Sequence, residues 1–177
     1  MTPDIVAHIQ GLRRYARFLC RDVAEADDLV QETLERAIAH AGQFRPGGDL
    51  RVWLFAILHN AFVSGRRAYA RRRTETSMDL ASAVSVSATQ ESRAELQRVL
   101  SAIDRLPDER RRVLLLVAVE GLTTDEVAVA LGLPVGTVRS RLARARDSLR
   151  QLLGGRGPAG SRSATMRVVG GRDVDGR

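Results

Sequence analysis

Residues 122–146 read LTTDEVAVALGLPVGTVRSRLARAR and contain the start and stop signals of two short helices. Thr123 and Glu126 have the spacing of a capping box, in which side chains satisfy free backbone N–H groups at the start of a helix. Gly132 can adopt the left-handed conformation that ends this helix, and Pro134 can begin the next one. Two helices joined by so tight a turn form a helix-turn-helix.

The second helix of this motif has two different faces. Its inward stripe is predicted to run through Val138, Leu142, Ala145, Leu149 and Leu152. Its outer face carries Arg139, Ser140, Ala143 and Arg144, with Arg141 and Arg146 at the flanks. Arginine can bind a guanine edge with two hydrogen bonds, and Thr137 at the helix start can take a phosphate. A solvated basic face is the alternative, but capping, turn and charge placement together favour binding in a major groove.

Helical periodicity continues upstream of this motif and predicts an all-α protein. Apolar residues recur at steps of three and four from Ile5 to Leu19, which indicates a first helix. Asp22 can cap a second helix with Glu25 in its first turn, and Asp49 can cap a third. That third helix ends in a cluster of arginines, namely Arg66, Arg67, Arg71, Arg72 and Arg73.

The chain divides into two helical blocks. Between Thr74 and Ser92 the composition changes to Ser, Ala, Thr and Val with little helical periodicity, as in a flexible linker. Helical spacing returns at Leu96, and Pro107 can begin a further helix that Gly121 ends. We predict two small helical domains at 1–73 and 93–153, a linker at 74–92, and a disordered Gly- and Ser-rich tail at 154–177.

Composition excludes several classes of protein. The chain of 177 residues has a net charge of +7 carried by arginine, which makes a polyanionic partner plausible. Cys20 is the only cysteine, so neither an internal disulfide nor a cysteine metal cluster can form, and a buried thiol is expected. Without a signal peptide or an apolar span, the prediction is a cytoplasmic protein that does not insert in membranes. Without a nucleophile–base pair, a phosphate loop or clustered ligands, we expect no enzyme activity, no cofactor and no metal.

An acidic face on the second helix contrasts with this basic background. Asp28, Gln31, Glu32 and Glu35 are spaced by three and four residues and therefore share one face. Such a face would repel DNA and attract a basic protein surface. Taken alone, it is better explained as an ordinary solvated helix face.

Residues 122–146, with Gly-Thr-Val-Arg-Ser-Arg at 136–141 and Arg-Ala-Arg at 144–146, resemble region 4 of bacterial sigma factors of the extracytoplasmic-function group. The resemblance implies that this helix-turn-helix binds the −35 promoter element. By resemblance, Arg139, Ser140, Ala143 and Arg144 occupy the base-contacting positions. We add Thr137, at the helix start, and Arg141, at the flank, to the predicted −35 contacts.

The first block resembles region 2 of the same family. The run Asp-Asp-Leu-Val-Gln-Glu at 27–32 is similar to region 2.2, which implies that Asp28, Gln31 and Glu32, with Glu35 beside them, contact the clamp helices of the polymerase β′ subunit. Residues 44–60 resemble regions 2.3 and 2.4, which capture the −10 element. A Gly-Pro loop beside a helix start can hold an extruded base, and arginines can follow the displaced backbone. The residues assigned to this contact are Phe44, Arg45, Asp49, Arg51, Asn60, Arg66 and Arg67.

The resemblance implies a sigma factor that binds core RNA polymerase through the β′ clamp helices and the β flap. It further implies promoter melting, control by an anti-sigma factor and a monomeric free state. Two alternatives remain: a one-component helix-turn-helix regulator, and a sigma-like decoy that binds an anti-sigma factor. The acidic face and the segment from Trp53 to Asn60 argue against the regulator, and Arg139, Arg141 and Arg144 argue against the decoy. Trp53 is expected in the core rather than as a stacking platform.

Overall fold

A computed structural model describes residues 4–20, 22–45, 47–72 and 90–154. Within these ranges the helices are α1 (Ile9–Leu19), α2 (Val23–Ala39), α3 (Leu50–Arg72), α4 (Gln90–Asp104), α5 (Asp108–Ala118), α6 (Thr124–Leu131) and α7 (Val135–Leu152), with short 3-10 helices at Val6–His8 and Ala41–Gln43. No strand occurs in these ranges, and the predicted all-α fold is confirmed. None of the described helices is long and apolar enough to cross a membrane.

The first block consists of α1, α2 and α3. The carboxylate of Asp22 accepts a hydrogen bond from the backbone N–H of Glu25 at 3.0 Å, and that of Asp49 accepts one from Val52 at 3.1 Å. Both predicted helix caps are therefore confirmed. The inward face of α1 buries Leu12, Tyr15, Ala16 and Leu19, and the Cys20 thiol is buried beside them, as predicted.

The second block consists of α4 to α7 and contains the predicted helix-turn-helix. Thr123 and Glu126 make both hydrogen bonds of the capping box, at 2.7 and 3.2 Å. Gly132 ends α6 with φ of +63°. The inward stripe of α7 is confirmed at Val138, Leu142 and Ala145, which are buried. Leu152 was predicted to continue it but is 39% exposed, because the last turn of α7 extends past the helices that cover its middle.

Several predicted boundaries differ from the structure. α5 ends at Ala118, before the predicted stop at Gly121, whose φ of +68° turns the chain towards α6. α4 begins at Gln90, so the last three residues of the predicted linker are helical. The rest of that linker, 74–89, and the tail from residue 155 lie outside the described residues.

α3 is covered from more than one side, which the sequence did not predict. The apolar pattern of α3 predicts a wide buried face at Val52, Trp53, Ala56, Ile57, Ala61 and Val63. Val52 and Ala61 are buried as predicted, and the other four are only partly buried. Among the most deeply buried residues of α3 are instead Leu54, Phe55 and Leu58, at 0–1% exposure. The reason is that α1 and α2 pack on α3 within the first block while α6 packs on it from the second, so that the buried residues of both blocks form one cluster.

Candidate nucleic-acid and protein interfaces

α7 presents an exposed face that can reach a major groove. Its buried residues turn towards α5 and α6, which leaves the opposite side free. The predicted contact residues Arg139, Ser140, Ala143 and Arg144 are all exposed on that side. Ser140 Oγ donates a hydrogen bond to the carbonyl oxygen of Thr137 at 3.0 Å, and Arg139 Nη2 lies 4.0 Å from Asp125 Oδ2. The α6–α7 motif therefore offers two arginines beside two small side chains that permit close approach.

Arg141 differs from the other predicted −35 residues. Only 24% of its side chain is exposed, and its Nη2 lies 2.7 Å from Glu109 Oε2 on α5. This pair ties α7 to the helix behind it. The structure thus places Arg141 at the edge of the exposed face with its guanidinium already occupied by a carboxylate.

The four predicted residues of the acidic face lie together along α2. Asp28, Gln31 and Glu35 are exposed and Glu32 is half-buried. Gln31 Nε2 donates a hydrogen bond to Glu35 Oε1 at 3.0 Å. Glu32 Oε1 accepts one from Arg36 Nη2 at 2.5 Å. These links order the face without burying its carboxylates.

A shallow cleft between α2 and α3 borders this acidic face. Asp28 and Glu32 line one wall, and Phe62 and Arg66 line the other. Cys20 also contributes to the lining, but burial, followed by the nearby Glu25, raises the pKa of its thiol to about 12. The thiol is therefore protonated at neutral pH and unreactive. This cleft could not be predicted from the sequence, because the residues of its two walls lie on different helices and meet only in the complete fold.

The predicted −10 residues fall into two groups. The first surrounds the loop before α3, where the Phe44 ring packs against the Trp53 ring with centroids 5.3 Å apart. Arg45 is exposed, and Gly47 adopts φ of +84° in the turn that follows. The Asp49 carboxylate is used as the α3 cap. Trp53 is partly buried and packs on the core, as expected, although one side of it meets Phe44.

The second group lies on α3 itself. Asn60 is exposed, whereas Arg51 and Arg66 each lie beside a carboxylate of the second block. Arg51 Nη2 lies 3.8 Å from Glu120 Oε2, and its guanidinium sits over the Phe55 ring. Arg66 Nη1 lies 2.6 Å from Asp108 Oδ2. Arg67 is in the helix, but its side chain lies outside the described part of the structure.

The carboxylate of Glu120 is a site component that sequence reasoning missed. Its side chain is 1% exposed, and it accepts two hydrogen bonds from Arg14, from Nε at 3.2 Å and from Nη2 at 3.0 Å. In the sequence, Glu120 is distinguished by its position as a single acidic residue directly after the apolar run 113–119. Nothing local indicated its partner Arg14, which lies 106 residues upstream.

Three buried polar atoms in the described residues have no hydrogen-bond partner, namely Tyr15 Oη, His59 Nδ1 and Arg111 Nε. Burial raises the pKa of Tyr15 above its usual range. Burial, and then the charge of Arg112, lowers the pKa of His59 to about 4. Tyr15 and His59 belong to the first block, while the arginines that influence them belong to α5. The contact between the blocks is therefore where desolvated groups concentrate.

Both blocks of the chain are similar to known protein families. One family model, described as the Sigma2 domain of PhyR, matches residues 5–59, and another, described as Sigma-70, region 4, matches residues 96–149. The ECF RNA polymerase sigma factor EcfG of Rhodopseudomonas palustris (strain TIE-1) is 37% identical over 170 residues, which cover 95% of this chain and 94% of that protein.

Two solved structures are similar. The sigma factor RpoE from Bartonella quintana, crystallised with the anti-sigma factor NepR, has a TM-score of 0.74 and 31% identity, covering 85% of this chain and 94% of that one. The anti-anti-sigma factor PhyR, crystallised with NepR from Bartonella quintana, has a TM-score of 0.54 and 20% identity, covering 83% of this chain and 48% of that one. The second likeness concerns the fold alone.

Proposed function

This chain belongs to the ECF family of RNA polymerase sigma factors, and on that premise we propose that it binds core RNA polymerase and directs initiation by recognising −10 and −35 elements and melting the promoter. The observation that carries the proposal is that one chain has two surfaces of opposite charge. The acidic face of α2 suits a basic protein, and the arginine face of α7 suits DNA. The proposed division is region 2 at 1–73 and region 4 at 93–153.

Recognition of the −35 element is assigned to α7. Arg139 and Arg144 are exposed and can each donate two hydrogen bonds to a guanine. Ser140 and Ala143 lie between them and let the helix approach the base edges. Thr137, in the first turn, can add a phosphate contact. Arg141 is assigned a positioning role, because Glu109 holds its guanidinium.

Polymerase binding is assigned to the acidic face of α2, with Asp28, Gln31, Glu32 and Glu35 as contacts. Three carboxylates on a chain of net charge +7 form a local exception that would steer a basic surface of the polymerase towards this helix. The clamp helices of β′ are the proposed partner, and the β flap is proposed for the second block. The chemistry of RNA synthesis then belongs to the polymerase.

Promoter melting is assigned to the loop before α3 and to α3 itself. Arg45 and Asn60 are exposed, and the Phe44 and Trp53 rings border the loop that would receive an extruded base. Arg51, Arg66 and Arg67 would follow the displaced strand. Binding energy for the opened strand, rather than any catalytic group, would keep the promoter melted.

Control by an anti-sigma factor is proposed from the likeness to RpoE, which was crystallised with NepR. The protein would be monomeric and act in the cytoplasm, where the polymerase works. The match of residues 5–59 to the Sigma2 domain of PhyR favours a second candidate, a decoy that binds an anti-sigma factor without initiating transcription. The exposed arginines of α7 support the sigma factor over the decoy.

Run-off transcription from a promoter library with purified core polymerase tests the proposal. If the protein is a sigma factor, we expect transcripts that depend on it and whose promoters share −10 and −35 sequences. Arg144→Ala should change the −35 consensus of the selected promoters. A folded protein that binds an anti-sigma factor but yields no specific transcript would establish the decoy instead.

A further inference from the structure

Glu120 joins the two blocks through a buried carboxylate. It lies in the turn between α5 and α6, where an acidic residue would ordinarily face water, yet the whole residue is only 3% exposed. Arg14 of α1 grips both of its oxygens at 3.0 and 3.2 Å, and Arg51 of α3 approaches to 3.8 Å. A buried carboxylate is tolerated only when it is paired in this way.

Gly11 makes the space for this carboxylate. A Cβ at position 11 would lie 2.8 Å from Glu120 Oε2, closer than such atoms normally approach. Glycine inside a helix is less stable than alanine, so its presence in α1 has a local reason here. Gly11, Arg14 and Arg51 together form a notch that receives Glu120, and we refer to it as the Glu120 notch.

When Glu120 lies in the Glu120 notch, it affects α3, the helix assigned to the −10 strand. With Glu120 seated, α6 packs along α3, Arg51 faces a carboxylate, and Arg66 is paired with Asp108. A DNA phosphate and a carboxylate compete for the same guanidinium, because both are anions that accept its N–H groups. With Glu120 Oε2 only 3.8 Å from Arg51 Nη2, the carboxylate offsets part of the charge with which Arg51 would attract the displaced strand.

We propose that Glu120 in the Glu120 notch is an internal latch, which holds the second block over α3 and competes with the opened single strand of DNA for Arg51. This inference rests on the proposed function only for the identity of the competing strand. The closed state and strand binding then oppose each other. Bound DNA therefore favours the open state by the same factor by which the closed state weakens DNA binding. The chain occupies its closed state when free and its open state on a melted promoter.

Two variants open the latch by different means. Glu120→Gln removes the charge and nearly preserves the shape, while Gly11→Ala places a methyl group against Oε2 and strengthens α1 as a helix. Glu95→Gln, on the exposed side of α4, is the matched control because it changes the net charge equally. All are made in the full chain, and circular dichroism verifies their folding.

Closure is measured by the distance between spin labels at Ser64→Cys on α3 and Val129→Cys on α6, both exposed, in a Cys20→Ala background. The wild type should give one short distance, and both latch variants should add a longer one. Affinity for a short fluorescent single-stranded oligonucleotide of mixed sequence should rise by about fivefold or more in both variants, and not in Glu95→Gln. Adding Arg51→Ala to Glu120→Gln should abolish the gain.

The latch is overturned if both variants keep the wild-type distance, or if they open without any gain in affinity for the single strand. It is also overturned if Arg51→Ala leaves the gain intact. None of these readouts contains polymerase. A failure of the proposed function would instead appear as wild-type protein that closes and opens as described but directs no specific transcription.

Discussion

Arg66 Nη1 lies 2.6 Å from Asp108 Oδ2, and this pair links the first turn of α5 to the helix assigned to the −10 strand. The two side chains are 58% and 42% exposed, and exposed ion pairs stabilise by only ~0–1 kcal/mol. Asp108→Asn should therefore change single-strand affinity by less than about fivefold, and by less than Glu120→Gln does. Fluorescence anisotropy compares the two variants. Asp108 Oδ1 also accepts a hydrogen bond from the buried Arg111 of the same helix at 3.0 Å, so circular dichroism first verifies that the variant is folded. In the folded variant, an equal or larger effect of Asp108→Asn would mean that the exposed pair holds the blocks together.

Arg144→Ala should weaken binding to the selected −35 duplex by about 5- to 150-fold, as expected for a bidentate arginine–guanine contact worth ~1–3 kcal/mol. Competition binding with matched and mutated duplexes measures this loss. Arg150→Ala is the control, since Arg150 is exposed on the same helix but pairs with Asp147 in its last turns. Equal losses in the two variants would indicate a general charge effect rather than base recognition.

Gln31→Ala should lower affinity for core polymerase by about fivefold or more, the effect of a contact worth over 1 kcal/mol, and leave binding to the −35 duplex unchanged. Gln31 is exposed at the centre of the acidic face and hydrogen-bonded to Glu35. Gln97→Ala on α4 is the matched exposed control. Binding is measured with immobilised core polymerase. If both glutamine variants bind core like wild type, the acidic face is not the docking surface.

Tyr15→Phe should raise the free energy of unfolding by about 1 kcal/mol, because it removes a buried hydroxyl that has no partner among the described residues. The ring itself keeps its edge-on packing against Phe55, with centroids 5.6 Å apart. Urea denaturation at neutral pH measures the change. Tyr15→Leu is the control that loses the ring and should destabilise. A destabilised Tyr15→Phe variant would show that the hydroxyl is satisfied in solution.

The helix-turn-helix could be predicted from sequence because its signals are local. The Thr123–Glu126 capping box, the left-handed Gly132 and the stripe at Val138 each depend on neighbours a few residues away. The contacts between the blocks could not be predicted in this way. Arg14 and Glu120 are separated by 106 residues, and no periodicity within either helix indicates that they meet. For the same reason, the apolar pattern of α3 did not indicate which of its other faces are covered by distant helices.

The candidate sites divide along the same line. Exposed positions such as Arg139 on α7 and Gln31 on α2 follow from helical spacing alone. The ion-pair partner of a charged side chain does not follow from helical spacing. Arg141 with Glu109, and Arg51 with Glu120, are engaged by helices whose approach depends on the complete fold.

His59 should make stability fall as the pH is lowered. Burial, followed by the charge of Arg112, lowers its pKa from 6.5 to about 4, so the folded protein keeps the imidazole neutral where the unfolded chain protonates it. Its contribution is complete above about pH 6.5 and is lost progressively between about pH 6.5 and 4. His59→Gln should therefore reduce the loss of unfolding free energy between about pH 7.5 and pH 5 by on the order of 1–2 kcal/mol.

Urea denaturation at the two pH values measures this difference, and the exposed His40→Gln variant controls for the loss of an imidazole. Equal pH dependence in His59→Gln and wild type would contradict the prediction. Arg112 lies on α5, so part of the environment of His59 comes from the other block. Opening the latch with Glu120→Gln should therefore weaken the pH dependence in the same direction as His59→Gln, because water then reaches the imidazole and Arg112 moves away.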